Sequence, residues 1–279
     1  MLVVENDGGY SGAFPYAVQT RFGFLSRIMS LPLGTYGGPI LAPDASAGIA
    51  RELWDAFRER SRSIRAISVH VADLERDLSV IRHPGYEWIP ACTHRISLPS
   101  EYEHVYRKIY SQNVRKMIRQ SREKGVRVEE VRDEDSVRAF AEIAAQTLDR
   151  HGGKVYPREL FLNILESMKK ECVFHLAYHE NRPVAGTLHF CSGSSLMNWL
   201  TASKREWWHL RPNNALVDTA IRWAIERGKS DYNFGGTPEG ADGLRRYKES
   251  WGATRHEYVV HAWESGALRL GKRLLVRSR

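Results

Sequence analysis

The segment Tyr232–Gly252, YNFGGTPEGADGLRRYKESWG, constrains the fold of this chain more than any other stretch. It predicts a short strand, a glycine-rich turn and a short basic helix that ends at Trp251 and Gly252. Gly235 and Gly236 lack a side chain, so the backbone of the turn can approach a ligand closely. The segment therefore predicts a binding site made from a strand end, a turn and the helix that follows.

Four consecutive side chains give the predicted helix a chemical character: Arg245, Arg246, Tyr247 and Lys248. They form a compact cationic group that could stabilise a developing oxyanion or bind a phosphate. Lys-Arg runs are equally common on solvated helix faces. The spacing alone leaves both interpretations open.

The order of the predicted elements indicates an α+β domain in the second part of the chain. An antiparallel meander is predicted over residues 173–201, followed by a helix over 212–227 and two strands. Ser100 and Glu103 form a capping-box pattern, which predicts one long helix that ends at Gly125. This order favours an α+β fold but does not select one member of that class.

Three segments resemble the FemAB/FemX-type aminoacyltransferases and occur in the order found in that family. Tyr247–Gly252 resembles the family's aromatic-Lys pair, short spacer and aromatic-Gly pair. Leu31–Pro39 is similar to its Pro-x-x-x-Tyr-Gly-Gly-Pro segment, and Ser111–Gly125 resembles its basic Arg-x-x-Ile-Arg helix. The first two matches are the specific ones, and the basic helix alone would be a weak match.

The resemblance implies tandem GNAT-like (acyl-CoA N-acyltransferase) domains of the α+β class. Residues 1–97 would form a partial first domain, and residues 98–279 a second domain that carries the catalytic site. The first domain is N-terminally short compared with the family, which indicates either a reduced domain or a truncated gene model.

The resemblance also implies roles for several residues. Lys248 corresponds to a lysine beside the reacting carbonyl of the donor, where it would stabilise the oxyanion, and Tyr247 to the adjacent aromatic residue. Tyr36, Gly37 and Gly38 correspond to a loop that lines the acceptor cleft. Asp218, Glu226, Asp231 and Glu239 are candidate bases, and the sequence does not select one.

The stretch Glu206–Asn214 bears on the acyl donor. CoA-using GNAT enzymes carry a glycine-rich loop before the long helix, where backbone N–H groups bind pyrophosphate. Here that stretch has no glycine, and Pro212 removes an N–H group. Arg211, Asn213 and Asn214 could still contact an anion, so a usual CoA site is disfavoured but not excluded. We expect no tightly bound cofactor, and the donor is aminoacyl-tRNA or acyl-CoA.

The net charge of +8 favours an anionic partner. The basic stretch Arg107–Arg127 suits a tRNA phosphate backbone, or is a solvated helix face. The basic tail Leu268–Arg279 could make weak contact with an anionic membrane surface. No His, Cys, Asp or Glu cluster has the spacing of a metal site.

The location predicted from the sequence is the cytoplasm. The N-terminus lacks the basic and apolar regions of a signal peptide. Three cysteines are an odd and low number, which is typical of a reducing compartment.

The predicted function is transfer of an aminoacyl or acyl group to an amine of a cell-envelope precursor, in the manner of the peptidoglycan bridge enzymes. One alternative is an acyl-CoA-dependent N-acyltransferase in exopolysaccharide or lipid biosynthesis. Another, from a different class, is a non-catalytic nucleic-acid-binding protein.

Overall fold

The computed structural model describes residues 1–6, 9–78 and 84–277. The chain forms two compact units. The first unit combines Met1–Cys92 with Glu257–Arg279, and the second unit comprises Thr93–His256. Strands β7 and β13, defined below, each carry the chain from one unit to the other.

The elements that begin before residue 93 form most of the first unit. In chain order they are β1 (Leu2–Asn6), β2 (Gly9–Phe14), β3 (Ala17–Arg21), β4 (Leu25–Met29), β5 (Ile40–Leu41), α1 (Ala47–Ser63), β6 (Ser68–Asp73) and β7 (Glu87–Ser97). Strands β1, β2 and β5 form a small sheet, and β3, β4 and β6 pair in that order. Helix α1 places Leu53, Trp54 and Phe57 in the core, where the rings of Phe14 and Phe57 stack at 4.5 Å.

In the second unit, helices come before and after an antiparallel meander of three strands. They are α2 (Tyr102–His104), α3 (Gln112–Glu123), β8 (Arg127–Val131), α4 (Glu134–Arg150), α5 (Arg158–Met168), β9 (Cys172–His179), β10 (Arg182–Ser192), β11 (Ser195–Ser203), α6 (Pro212–Glu226), β12 (Asp231–Gly236) and α7 (Asp242–Ser250). The chain ends with β13 (Thr254–Glu264) and α8 (Gly266–Arg277). The predicted meander, the helix after it and the two later strands are confirmed.

The compact units differ from the predicted division into residues 1–97 and 98–279 because residues 257–279 belong with the N-terminal residues. The physical reason is strand β13, in which residues 259–264 pair antiparallel with residues 68–73 of β6. As a statement about domains, the predicted boundary stays a prediction.

The strands of the second unit run in the order β7-β12-β11-β10-β9-β8. Strands β8, β9, β10 and β11 pair antiparallel with one another, whereas β12 is parallel to β11 and antiparallel to β7. One apolar cluster joins α4 and α5 to the sheet through Phe140, Phe161 and Phe174. A second joins α3, α6 and α7 through residues such as Tyr232 and Trp251. A third cluster joins the start of α6 to β9 and β10 through residues such as Leu216, Ala177 and Ala185. Helices therefore pack against the sheet through these apolar clusters, and the predicted α+β class is confirmed.

The predicted long helix from Ser100 to Gly125 is wrong, because the chain breaks at Tyr110. Helix α2 leads into a π-helical turn, Val105–Ile109, and Tyr110 then adopts an extended backbone with ψ 135°. The Tyr110 ring packs edge-on against Trp251 at 5.0 Å. Ser111 restarts the helix as α3, since its Oγ accepts a hydrogen bond from Val114 N at 3.3 Å.

Gly252 ends α7 as predicted, and the packing explains why glycine stands there. Its φ is +83°, and a Cβ at this position would lie 2.8 Å from the carbonyl oxygen of Ile109. The N–H of Ser111 also donates to the carbonyl of Ser250. The Trp-Gly pair thus joins the end of α7 to the break before α3.

Two histidines lie buried side by side on β9 and β10. His175 and His189 are 1% and 0% exposed, and their ring centroids are 6.0 Å apart. His189 Nε2 lies 2.9 Å from the Tyr232 hydroxyl, whereas neither nitrogen of His175 has a hydrogen-bond partner among the described residues. Burial lowers the pKa of His175 to about 4 and that of His189 well below its usual value. Both rings are therefore neutral at pH 7.

The neutral His175 predicts a loss of stability in mild acid. The unfolded histidine binds its proton as the pH falls through about 6.5, whereas the folded one does so near pH 4. The free energy of unfolding therefore falls across this window, by about 3 kcal/mol for this group. We expect His175→Gln to lose most of that decrease when urea unfolding at about pH 7 and about pH 4.5 is compared. An equal decrease in both proteins would contradict this explanation.

Candidate functional site

Strands β11 and β12 pair over three residues and then separate. Residues 195–197 pair with residues 231–233, whereas β11 continues to Ser203 and β12 to Gly236. Among the described residues, no parallel pairing of these strands extends beyond Met197. Beyond Met197 the edge of β11 that faces β12 is therefore without strand pairing to β12 among the described residues, and we call it the open edge of β11.

The backbone at Gly235 turns away from regular strand geometry just after the residues of β12 that pair with β11. Its φ is +78°, which favours glycine, and its N–H donates to Asn233 Oδ1 at 2.8 Å. The same Oδ1 accepts a hydrogen bond from Thr93 Oγ1 at 2.6 Å. A Cβ at Gly235 would lie 3.1 Å from the carbonyl oxygen of Asn198. The Gly235 backbone therefore lies close to strand β11, and the predicted contact of Gly235 and Gly236 with a ligand stays a prediction.

A cleft of about 360 Å³ lies beside α3 and the N-terminus of α6. We call it the α6 cleft. Its lining comes from α3, from the turn before α6, from the first turn of α6 and from α7: Asn113, Val114, Met117, Trp208, Arg211, Pro212, Asn213, Asn214, Tyr247 and Ser250. The structure thus brings together four residues that the sequence predicted as site residues, namely Arg211, Asn213, Asn214 and Tyr247.

The start of α6 offers polar groups but few backbone donors. Arg211 has a left-handed backbone with φ +59°, and its carbonyl accepts the N–H of Asn214 at 3.1 Å. Pro212 has no N–H to donate. Asn213 Oδ1 is buried and has no hydrogen-bond partner among the described residues, and the Arg211 side chain has none there either. These two side chains are free to bind a ligand in the α6 cleft.

Two aromatic side chains complete the α6 cleft. Trp208 is 42% exposed, and its indole N–H donates to Ser203 Oγ at 2.9 Å, so it forms a wall instead of lying in the core. Burial raises the pKa of Tyr247 to about 12. Its phenol is therefore protonated at neutral pH and can donate a hydrogen bond, but it cannot act as a base there.

Lys248 points away from this cleft and into the turn after β12. Its side chain is buried, and Nζ donates to the carbonyls of Gly235 and Gly236 at 2.7 and 2.9 Å and to Thr237 Oγ1 at 3.0 Å. An ammonium group has three N–H donors, so these three acceptors engage all of them. The ammonium ties α7 to the end of β12, and its predicted direct contact with an oxyanion stays a prediction.

Sequence reasoning missed His94, which supports the same turn from β7. His94 is fully buried, and its Nδ1 lies 2.9 Å from Thr237 Oγ1. Burial lowers the pKa of His94, and the nearby charge of Lys248 lowers it further. A neutral ring that accepts at Nδ1 fits the Thr237 hydroxyl as donor. A lone histidine in a strand pattern carries no signal that could have identified this role.

The two arginines before Tyr247 do not line the α6 cleft. Arg245 forms an ion pair with Asp242 at 3.0 Å and lies 4.0 Å from Glu249 on its own helix. Arg246 is exposed. Their predicted contacts with substrate stay predictions, and exposed ion pairs of this kind contribute little to stability.

The glycines of the Leu31–Pro39 segment have a structural explanation within the first unit. The Gly37 N–H donates to the Ala72 carbonyl at 2.8 Å, and a Cβ at Gly37 would lie 2.6 Å from Ser30 Oγ. Gly38 has φ +132° and packs 3.2 Å from Asp73 Oδ1, measured from the position of its absent Cβ. The Tyr36 ring packs edge-on against Tyr258 at 5.3 Å. The predicted acceptor-cleft role of Tyr36, Gly37 and Gly38 stays a prediction.

The candidate bases fall into two groups. Asp218 is buried and accepts hydrogen bonds from Tyr102 and Arg122, and Asp231 accepts from Arg95 and Ser195. Glu226 and Glu239 are exposed. The first pair stabilises the fold and neither glutamate lines the α6 cleft, so the structure does not select a base. In the described part of the chain, no group of three or more His, Cys, Asp or Glu side chains could hold a metal ion.

Replacement of Lys248 tests whether its ammonium holds the turn. Lys248→Met keeps most of the side-chain volume but leaves the carbonyls of Gly235 and Gly236 without their donor. We expect the free energy of unfolding to fall by about 2–3 kcal/mol, measured in urea. Arg246→Met on the exposed face of the same helix is the control and should change it by less than about 0.5 kcal/mol. Equal stability of the two variants would show that the ammonium is not needed.

The fold and part of the sequence match known proteins. The family described as "Acetyltransferase (GNAT) domain" matches residues 108–249, just over half of the chain. No curated protein matches this sequence.

Three solved structures illustrate the similarity of fold. The crystal structure of FemX has a TM-score of 0.69 at 15% identity and covers 92% of this chain and 86% of its own. The C-terminal domain of a putative lysylphosphatidylglycerol synthetase from Agrobacterium fabrum has a TM-score of 0.63 at 13% identity and covers 97% and 86%. A tandem GNAT protein from the clavulanic acid biosynthesis pathway has a TM-score of 0.54 at 13% identity and covers 95% and 82%.

At these identities the similar structures concern the fold, and they confirm the predicted GNAT-like architecture. The family match covers α3 to α6, the meander and β12, and it includes every residue that lines the α6 cleft except Ser250. The chain therefore belongs to the acetyltransferase (GNAT) domain family and is an acyltransferase.

Proposed function

We propose that the protein transfers an acyl or aminoacyl group to an amine of a cell-envelope precursor, with the donor bound between β11 and β12. This proposal is supported by the end of the pairing between β11 and β12 at Met197, and by the hydrogen bond from Trp208 in the α6 cleft to Ser203 at the end of β11. An extended acyl donor could pair with the open edge of β11, while its distal part lies in the α6 cleft.

The chemistry needs positioning more than reactive side chains. The free amine attacks the donor's carbonyl carbon, a C–N bond forms, and the bond to the donor's sulfur or oxygen breaks after a tetrahedral intermediate. The amine loses a proton, and the leaving group takes one. In this proposal, backbone N–H groups on the open edge of β11 would donate to the oxyanion, which is the kind of preorganised stabilisation that acyl transfer requires.

The role that we propose for Lys248 is to position the turn after β12 and to place a positive charge behind it. Its three hydrogen bonds fix the carbonyls of Gly235 and Gly236 and the Thr237 hydroxyl. Tyr247, as a neutral phenol in the α6 cleft, is suited to donate a hydrogen bond to the donor. Arg245 and Arg246 lie outside the α6 cleft, and we propose that they contact the acceptor instead of the donor.

Acyl-CoA and aminoacyl-tRNA both remain candidate donors, and the residues of the α6 cleft do not select one of them. Arg211 and the Asn213 amide could contact the phosphates of acyl-CoA, although Pro212 and the absence of glycine leave few backbone donors. Aminoacyl-tRNA would draw on the basic stretch Arg107–Arg127 outside the cleft. The alternative of an acyl-CoA-dependent enzyme of exopolysaccharide or lipid biosynthesis follows from the first donor.

The acceptor class rests on resemblance and on the names of similar structures. FemX and the C-terminal domain of the putative lysylphosphatidylglycerol synthetase share this fold. Their names support an envelope precursor as the acceptor. Among the described residues, no helix has the length and apolarity of a membrane span. We propose a cytoplasmic location and a weak contact of the C-terminal tail with an anionic membrane surface.

Donor binding can be tested by thermal shift with acetyl-CoA and, separately, with a charged tRNA pool, each at low and moderate salt. Saturable binding that resists salt would support acyl-CoA, and salt-sensitive binding would support tRNA. Arg211→Gln should weaken the effective donor by roughly tenfold, whereas Arg158→Gln on α5 should not.

Transfer of the acyl group to an added amine should accompany the binding. A chain that binds tRNA in a salt-sensitive way but transfers no acyl group would support the non-catalytic alternative. A chain that binds neither donor would contradict the proposed function.

A further inference from the structure

A second cleft lies beside α3 and is basic. Its volume is about 420 Å³, and it is lined by Tyr106, Arg107, Gln112, Arg115 and Arg119. We call it the arginine cleft. Three guanidinium groups line it and no carboxylate does. The π-helical turn Val105–Ile109 forms one wall and α3 the other. π-helical turns occur often at functional sites.

The periodicity of α3 separates the arginine cleft from the α6 cleft. Gln112, Arg115 and Arg119 are three or four residues apart and share one face of the helix. Asn113 and Met117 lie on another face and line the α6 cleft. One helix therefore has a proposed donor cleft on one side and a basic cleft on the other.

Arg115 is held rigidly at this site. One of its terminal nitrogens donates to the carbonyls of Tyr106, Arg107 and Tyr110, at 3.4, 3.0 and 2.6 Å. These contacts use Nη1, and no hydrogen bond of Nε or Nη2 is found among the described residues. A guanidinium that is already ordered loses little freedom when it binds an anion.

The charges of the other two arginines are only partly neutralised. Arg107 forms an ion pair with Glu103, one turn earlier. Arg119 is exposed and has no ion pair or hydrogen bond within the described structure. Three positive charges against one negative charge leave a net attraction for an anion with two negative charges.

We propose that the arginine cleft binds a phosphate group with two negative charges, either a phosphomonoester or a pyrophosphate. Planar guanidinium groups bind phosphate oxygens through paired N–H donors, and the Gln112 amide and Tyr106 hydroxyl supply neutral donors. A single carboxylate would leave most of these donors unused. The assignment of this phosphate to a substrate rests on the proposed function, but its binding does not.

The test is a calorimetric titration of the intact protein with inorganic pyrophosphate. We expect saturable binding that weakens at least about tenfold in Arg119→Gln. Arg119 has no hydrogen bond or ion pair with any other described residue, so this variant should keep its fold, which its melting temperature would check. Lys116→Gln is the matched control, because Lys116 is exposed on the same helix and does not line the cleft. Acetate should bind about tenfold more weakly than pyrophosphate.

A second arm distinguishes a soluble phosphate from a lipid headgroup. Co-sedimentation with phosphatidic acid vesicles, compared with phosphatidylcholine vesicles, should depend on Arg119 in the same way if the phosphate belongs to a lipid. Binding of pyrophosphate without binding to vesicles supports a soluble source. The proposal is overturned if neither probe binds saturably, or if Arg119→Gln and Lys116→Gln weaken binding equally. Either result leaves the acyl-CoA assay and the Arg211→Gln comparison at the α6 cleft unaffected, so the proposed function and the phosphate site can fail separately.

Discussion

The buried ammonium of Lys248 is the interaction on which the candidate site depends, because it ties α7 to the end of β12. The carbonyls of Gly235 and Gly236, the last two residues of β12, and the hydroxyl of Thr237 accept its hydrogen bonds. Burial of this charged group is tolerable because every one of its donors is satisfied. The helix that carries Tyr247 is thereby held against the strand end beside the site.

Both clefts are lined by α3, which packs in one apolar cluster with α6 and the end of α7. Tyr110 and Trp251 are in contact within this cluster. The break at Tyr110 lets the π-helical turn and α3 meet at an angle, and the arginine cleft lies in that corner. Gly252 leaves room for Ile109 at the same junction. The Trp-Gly pair of the family signature is therefore explained by packing, whereas the Tyr-Lys pair before it reaches the α6 cleft and the turn.

The sequence predicted the meander, helix α6 and strand β12 well, because their apolar periodicity and turn residues agree. It also grouped Arg211, Asn213 and Asn214 at the start of that helix, and the structure adds Tyr247 to them. It could not predict the break at Tyr110, because a ring that packs against a residue far along the chain overrides a continuous helical pattern. His94 was missed for the same reason, since its partner Thr237 is distant in sequence.

The measurement that tests the account most directly is hydrogen–deuterium exchange of the intact protein with and without its donor. If the donor pairs with the open edge of β11, a saturating donor should slow exchange in β11 from residue 198 to residue 203 and in the first turn of α6. Strand β9 is separated from β11 by β10, so its exchange rates should be the same with and without the donor. Donor binding that leaves residues 198–203 unprotected would contradict the claim that the open edge of β11 holds the acyl donor.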